Sequence, residues 1–181
     1  LYGTNTDVFG FTENLKMASR NFGFSWTPDL GTAVVLGAGG AARAIVYGLL
    51  KENVPEILIA NRTKEKAQDL VSLDPSIIKA IDWEERSNVL STANLLVNTT
   101  SLGMNDDGDL GINFENANED ILVHDIVYAP LYTGLLKDAR AHDLRILTGI
   151  GMLLYQAQPA FEEWYDTIPE VTPALEEYIT S

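Results

Sequence analysis

Residues 33–50, AVVLGAGGAARAIVYGLL, constrain this chain more than any other stretch. The apolar run Ala33 to Leu36 reads as a buried parallel strand, and Gly37-Ala38-Gly39-Gly40 offers a sharp turn before an Ala-rich helical pattern. Without a Cβ at Gly37 and Gly39 the backbone can bend tightly and admit a pyrophosphate to the helix N-terminus, where unpaired N–H groups favour anions. Ala42 stands at the third position of a G-x-G-x-x-G/A pattern and is small enough for close helix-on-strand packing. The plainer reading is a structural glycine turn. The strand before and the helix after favour a dinucleotide site.

Composition narrows the field. With 181 residues, 46% of them hydrophobic, the chain suffices for one domain with a sizeable core. No run approaches the roughly 18 apolar residues of a membrane span. The absence of cysteine excludes a disulfide framework, a thiolate metal site and a cysteine nucleophile. A net charge of -14 argues against nucleic acid as a partner. Six of the twelve Lys and Arg lie between Arg43 and Lys79, so the basic island coincides with the phosphate site. The chain opens at Leu1 inside what reads as a working motif, so an upstream portion is expected.

From the N-terminus, LYGTNTD leads into an amphipathic helix with apolar Val8, Phe11, Leu15 and Ala18, and Asn21 to Gly31 reads as a linker. Thr6-Asp7 reads first as a helix N-cap, a role that leaves Asp7 free for another. The second strand, Glu56 to Ala60, ends in Asn61-Arg62-Thr63, where a dinucleotide fold meets the adenosine ribose. A carboxylate there would select NAD. This chain instead has Arg62, with Lys64 and Lys66 behind it, and a guanidinium fork suits the extra phosphate of NADP. The alternative is a Thr63 N-cap with solvated cations.

A helix from Lys64 to about Leu73, a strand over Ile77 to Ile81, a short helix over Trp83 to Leu90 and a strand over Leu95 to Asn98 follow. The loop Asn98 to Met104 then lies at the strand's C-terminal edge, where open α/β sheets hold ligands. Asn105 to Asn118, rich in Asp, Asn and Gly, reads as an exposed loop with room to move, and its Asp106, Asp107 and Asp109 lack EF-hand spacing, so no metal is assigned. Further strands are expected over Ile121 to Val127 and Arg145 to Thr148, around a helix capped by Thr133. A last helical pattern should be kinked by Pro159. The alternation implies a Rossmann-like, doubly wound, mainly parallel six-stranded sheet with flanking helices. The division expected is a linking helix over 1–22, a core over 32–150 and C-terminal helices over 152–181. His124 and His142 read as structural or solvated.

Six ordered motifs, GTNTDVFGF, VLGAGGAARA, ANRTKEKA, NTTSLGM, DIVYAP and GIGMLLYQA, together resemble the cofactor-binding half of shikimate dehydrogenases. The resemblance implies NADPH-dependent reduction of 3-dehydroshikimate to shikimate in the pathway to aromatic amino acids, a cytoplasmic setting, and an active site between this half and an N-terminal substrate domain. It implies that Gly37, Ala38, Gly39, Gly40 and Ala41 form the pyrophosphate turn. Asn61, Arg62, Thr63 and Lys66 would hold the adenosine ribose and its 2'-phosphate, with Lys66 standing where the family often has arginine. Thr100, Ser101 and Met104 would lie along the cofactor, with Tyr128, Gly149 and Met152 near the nicotinamide. Asn5, Asp7, Tyr128 and Gln156 would face the substrate, Asp7 pairing with a lysine to transfer the proton.

That lysine belongs to the family's first domain, which this chain lacks. Asp7, ordinarily an anion, cannot transfer the proton unaided, so the chain alone should bind NADP(H) with little turnover. The helix after Asp7 and those after Gly151 should join the two domains and expose apolar faces, favouring self-association. A stand-alone NADP-binding module and a quinate dehydrogenase remain as alternatives. More distant fold-mates fit the GTNTD and GMLLYQ segments poorly.

Overall fold

A computed structural model of the chain describes residues 3–22, 31–104 and 108–180. Most of the linker, with Asp106 and Asp107, lies outside the described residues. Six strands form one parallel sheet: β1 (Thr32–Leu36), β2 (Glu56–Ala60), β3 (Ile78–Ile81), β4 (Ala93–Asn98), β5 (Leu122–Asp125) and β6 (Arg145–Leu147). They run in the order β3-β2-β1-β4-β5-β6, so the chain reverses direction across the sheet between β1 and β4. That reversal opens a crevice beyond the carboxyl ends of the two strands.

The helices are α1 (Asp7–Phe22), α2 (Gly40–Lys51), α3 (Lys64–Val71), α4 (Gly134–Ala141), α5 (Ile150–Tyr165) and α6 (Pro173–Thr180). Alternation along each strand divides the core in two. Ala33 and Val35, Ile57 and Ile59, and Leu95 and Val97 meet α1, α2, α3 and Met152 of α5 on one face. Val34, Leu36, Leu58 and Leu96 meet Leu135, Leu136 and Ala139 of α4 on the other. Burial on both faces is why β1 reads as a continuous apolar run rather than an alternating one.

Several expectations need correction. The short helix expected over Trp83 to Leu90 is two 3₁₀ turns, Trp83–Arg86 and Asn88–Ser91. β5 stops at Asp125, two residues early, because that carboxylate turns into a hydrogen-bonding role. The Asp- and Asn-rich loop is not wholly exposed: Leu110 and Phe114 are buried in the second core, and Arg86 donates to the carbonyls of Leu110, Gly111 and Trp83. Two bonds from one guanidinium fasten the loop, and the third, to Trp83, holds the guanidinium to its own turn.

The start of α1 also differs. Neither Thr6 nor Asp7 supplies the cap; the Asn5 side-chain oxygen accepts the Asp7 N–H at 2.8 Å, an Asx turn that begins the helix. The apolar face of α1 is not left open, since Phe11, Leu15 and Ala18 are buried within the chain. The helix crosses α5 closely. A Cβ on Gly151 would run into the Asn14 side chain, and one on Gly10 would lie 2.7 Å from the Cβ of Gln156. Exposed large apolar side chains gather in the later part of α5, where Pro159 sits inside the helix and Trp164 is 76% exposed, and continue through Ile168 to Tyr178 and Ile179 of α6. Among the described residues no helix is long and apolar enough to cross a membrane.

Candidate functional site

The expected site residues gather at the C-terminal edge of the sheet because β1 lies between β2 and β4 in register, Leu36 opposite both Ala60 and Asn98. The segments that follow these three residues therefore emerge side by side: Gly37–Gly40, Asn61–Thr63 and Thr99–Met104.

Gly37 turns the chain out of β1. Its φ is +106°, a left-handed conformation costly for other residues, and its N–H donates to the Ala60 carbonyl at 2.8 Å. Gly37 is buried, so its lack of a side chain serves packing against Thr99 as much as ligand approach. Gly39 and Gly40 are different: nothing stands within 4 Å of where a Cβ would be on either. Gly39 occupies the N-cap of α2 with no side-chain cap bond, so the first-turn N–H groups are left for an outside acceptor. An open glycine cradle at an uncapped 12-residue helix fits the diphosphate of a dinucleotide.

Beyond β2, Asn61 donates to the Thr63 carbonyl at 2.7 Å and ties the turn. Thr63 holds the N-cap position of α3 but makes no cap bond, contrary to the plainer reading of that residue. Arg62 and Lys66 are exposed and form no ion pair with any other described residue. Lys64, by contrast, is held by Asp82 at 2.6 Å, and that carboxylate raises the lysine's pKa. Of these three cations beside the tip of β2, Arg62 and Lys66 are the two without an ion pair among the described residues.

On the far side of β1, Thr99, Thr100, Ser101 and Met104 face Ile126, Val127, Tyr128 and Ala129 across a depression of about 480 Å³. Behind its two walls, and hydrogen-bonded to Thr100 on one and Val127 on the other, lies a buried polar network that the sequence alone did not reveal. Asn98 and Asp125 end β4 and β5 opposite each other, and the Asn98 amide donates to Asp125 at 3.0 Å. Asp125 also accepts the Val127 N–H at 3.0 Å and the Thr133 hydroxyl at 2.7 Å. Burial pushes the Asp125 carboxyl above the ordinary range, against three donors that favour the anion. The sequence signal was a polar residue closing an apolar strand, at the edge where ligands sit.

The remaining site residues divide. Tyr128 is exposed on the rim of the depression. Gly149 packs on the backbone of Ile126 and Val127, which leaves no room for a Cβ. Met152, in the first turn of α5, is buried against the first core. Asn5 shares a hollow of about 410 Å³ with Gly40, Arg43 and Tyr47, and its amide donates to Asp7 at 3.2 Å. Gln156 meets α1 at Gly10, about one turn on from Asp7. His124 is fully buried, stacked on Phe11, with Nδ1 on the Leu147 carbonyl at 2.9 Å, and burial lowers its pKa to about 4. His142 is exposed, its Nδ1 2.9 Å from the Asp138 carbonyl. Among the described residues no cluster of three or more His, Asp or Glu is disposed to hold a metal ion.

Comparison with known proteins agrees with this arrangement. Residues 16–104 match the family model described as shikimate / quinate 5-dehydrogenase. The shikimate dehydrogenase (NADP(+)) of Dinoroseobacter shibae is 45% identical over 175 residues, which are 97% of this chain and 62% of that protein. A shikimate 5-dehydrogenase of Thermus thermophilus, solved with NADP(H) and shikimate, superposes with a TM-score of 0.78 at 33% identity, covering 98% of this chain and 62% of that one. A quinate dehydrogenase of Corynebacterium glutamicum, solved with NAD, gives a TM-score of 0.85 at 29% identity, over 99% and 63% of the two chains. The chain therefore spans somewhat over three-fifths of the length of these relatives. In sequence along nearly its whole length, and in overall fold, the chain is similar to the shikimate dehydrogenases over somewhat more than three-fifths of their length.

Proposed function

We propose that this chain is the NADP(H)-binding part of a shikimate dehydrogenase, which as a complete protein reversibly reduces 3-dehydroshikimate to shikimate, in the cytoplasm. The observation that carries the reading is the pairing of an uncapped α2 at the Gly39–Gly40 cradle with two cations that have no ion pair among the described residues, Arg62 just beyond the neighbouring β2 and Lys66 in the first turn of α3. The two sites match the two ends of an adenosine 2'-phosphate diphosphate: helix N–H groups for the diphosphate, a guanidinium fork for the extra phosphate.

When bound, NADPH supplies the hydride. The chain's own residues bind and orient. Thr100, Ser101 and Tyr128 line the depression in which the nicotinamide riboside is proposed to lie. Asp7, at the start of α1, and Gln156, which crosses that helix, are proposed to reach substrate hydroxyls. The Asp7 carboxylate accepts a hydrogen bond and needs a cationic partner to deliver a proton to the developing alkoxide. That partner is assigned to the rest of the longer protein, whose domain would cover the exposed Trp164 side of α5 and, on closing, exclude water. The chain by itself then binds cofactor and turns over little.

Titration with NADPH and NADH tests the cofactor assignment, and tighter binding of NADH would overturn it. Adding a separately produced substrate domain, shikimate and NADP should restore turnover. No turnover after reconstitution would favour a stand-alone binding module. Turnover by the chain alone would sink the claim that it is incomplete. A quinate-using reading draws support from the NAD-bound Corynebacterium glutamicum structure. Arg62 and Lys66 speak against an NAD preference, and assaying quinate beside shikimate decides the substrate.

A further inference from the structure

The buried polar network behind the walls of the depression has no role in the reading above. Asp125 is a charged residue with no exposed surface, placed where a leucine or valine would pack against the second core. Burying a carboxylate is costly unless donors surround it, and here three donors hold it in one orientation. Here the geometry runs to both walls of the depression. One oxygen of Asp125 accepts the Asn98 amide and the Val127 N–H, and the other accepts the Thr133 hydroxyl.

Asn98 then carries the constraint onward. Its oxygen accepts the Thr100 N–H at 3.0 Å and the Thr100 hydroxyl at 2.8 Å, while its amide also reaches the Leu102 carbonyl at 3.3 Å. The Thr100 hydroxyl accepts the Leu102 N–H at 3.2 Å, which closes the loop on itself. On the other wall, the bond to Val127 sets the backbone one residue before Tyr128, and Thr133 ties the same carboxylate to the start of α4, whose Leu136 N–H it caps. Neither wall belongs to a regular strand or helix. Their mutual spacing is set through one carboxylate.

We propose that Asp125, acting through Asn98 and Thr133, is a positioning residue that holds the two walls of the depression at the separation the nicotinamide riboside requires. It touches no ligand itself. The proposal rests on the reading that the depression takes the nicotinamide end of NADP(H). The consequence is selective: loss of the carboxylate loosens the site for one end of the dinucleotide and leaves the adenosine end, at Gly39 and Arg62, as it was.

The test compares dissociation constants for NADPH and for adenosine 2',5'-bisphosphate, which carries the adenosine end alone, in wild type, Asp125→Asn, Thr133→Val and Thr133→Ser. Asp125→Asn should weaken NADPH about 10-fold or more while the bisphosphate stays within about twofold, because hydrogen bonds to a charged acceptor are lost at one end only. Thr133→Val should give the same split, and Thr133→Ser, which keeps the hydroxyl, should restore wild-type values. This arm stands even if Asp125→Asn does not fold. Equal weakening of both ligands, or no change in NADPH binding, would overturn the proposal. A wild-type chain that binds neither ligand would instead defeat the cofactor reading on which it rests.

Discussion

Gly37 and Thr99 meet at the turn of the glycine motif: a Cβ on Gly37 would stand 2.6 Å from the Thr99 hydroxyl oxygen, which itself donates to the Leu36 carbonyl at 2.7 Å. The turn after β1 and the loop after β4 are thus one packed unit. Gly37→Ala should strain the left-handed backbone and push Thr99 aside, costing roughly 1–3 kcal/mol of stability. Gly39→Ala, in open space at ordinary φ, should cost within about 1 kcal/mol yet weaken NADPH binding, because the methyl enters the cradle. Urea unfolding and NADPH titration of the two variants separate the structural glycine from the ligand-facing one.

Arg62 lacks an ion-pair partner among the described residues and is exposed, so its removal leaves the fold alone. Arg62→Ala should weaken NADPH by about 10- to 100-fold, the worth of a charge-assisted pair, with NADH affinity and unfolding midpoint unchanged. Parallel titrations of both nucleotides read this directly, and an unchanged preference would remove Arg62 from the phosphate site.

His124 predicts a pH dependence. Its ordinary pKa of 6.5 falls to about 4 in the folded chain, so below about pH 6.5 the unfolded state takes up a proton that the folded state refuses. Stability should therefore fall as pH drops from about 6.5 to about 4, by up to the order of 3 kcal/mol. Asp125 works in the opposite sense. Its raised pKa contributes stability below the unfolded value of 3.8 that is lost as pH rises through the folded value. Unfolding midpoints of wild type and His124→Phe between pH 7 and pH 4 isolate the histidine, and the variant's curve should be the flatter.

The side of α5 beyond Pro159 presents Trp164 at 76% and Tyr165 at 63% exposure. Trp164→Ser should shift stability by no more than about 0.5 kcal/mol, as for other surface substitutions. It should also reduce self-association in sedimentation equilibrium and weaken capture of an added substrate domain. A wild-type chain that stays monomeric at high concentration would argue against that face being adhesive.

Legibility in the sequence followed the range of the forces involved. β2 at Glu56–Ala60 and the Thr133 cap of α4 were readable because an apolar run after a proline and a hydroxyl before a helix act within a few residues. The Gly37 turn was readable for the same reason, although its contact with Thr99 was not. Asn98 and Asp125 lie 27 residues apart, and only the register of β4 on β5 sets them face to face. Leu110 and Phe114 were hidden by the polar residues around them, since the bonds from Arg86 that fold the loop inward come from a distant turn. The burial of Phe11 and Leu15 likewise depended on Gly10 and Gly151, whose missing side chains let two helices far apart in the chain approach.

The stack of Phe11 on His124, with ring centroids 5.8 Å apart, makes the first helix a shield for an imidazole more than a hundred residues downstream. Prising α1 away would admit water to that ring and return its proton affinity toward the ordinary value. Mild acid would then do to the opened form what it resists doing to the closed one: charge the ring and keep the helix from settling back.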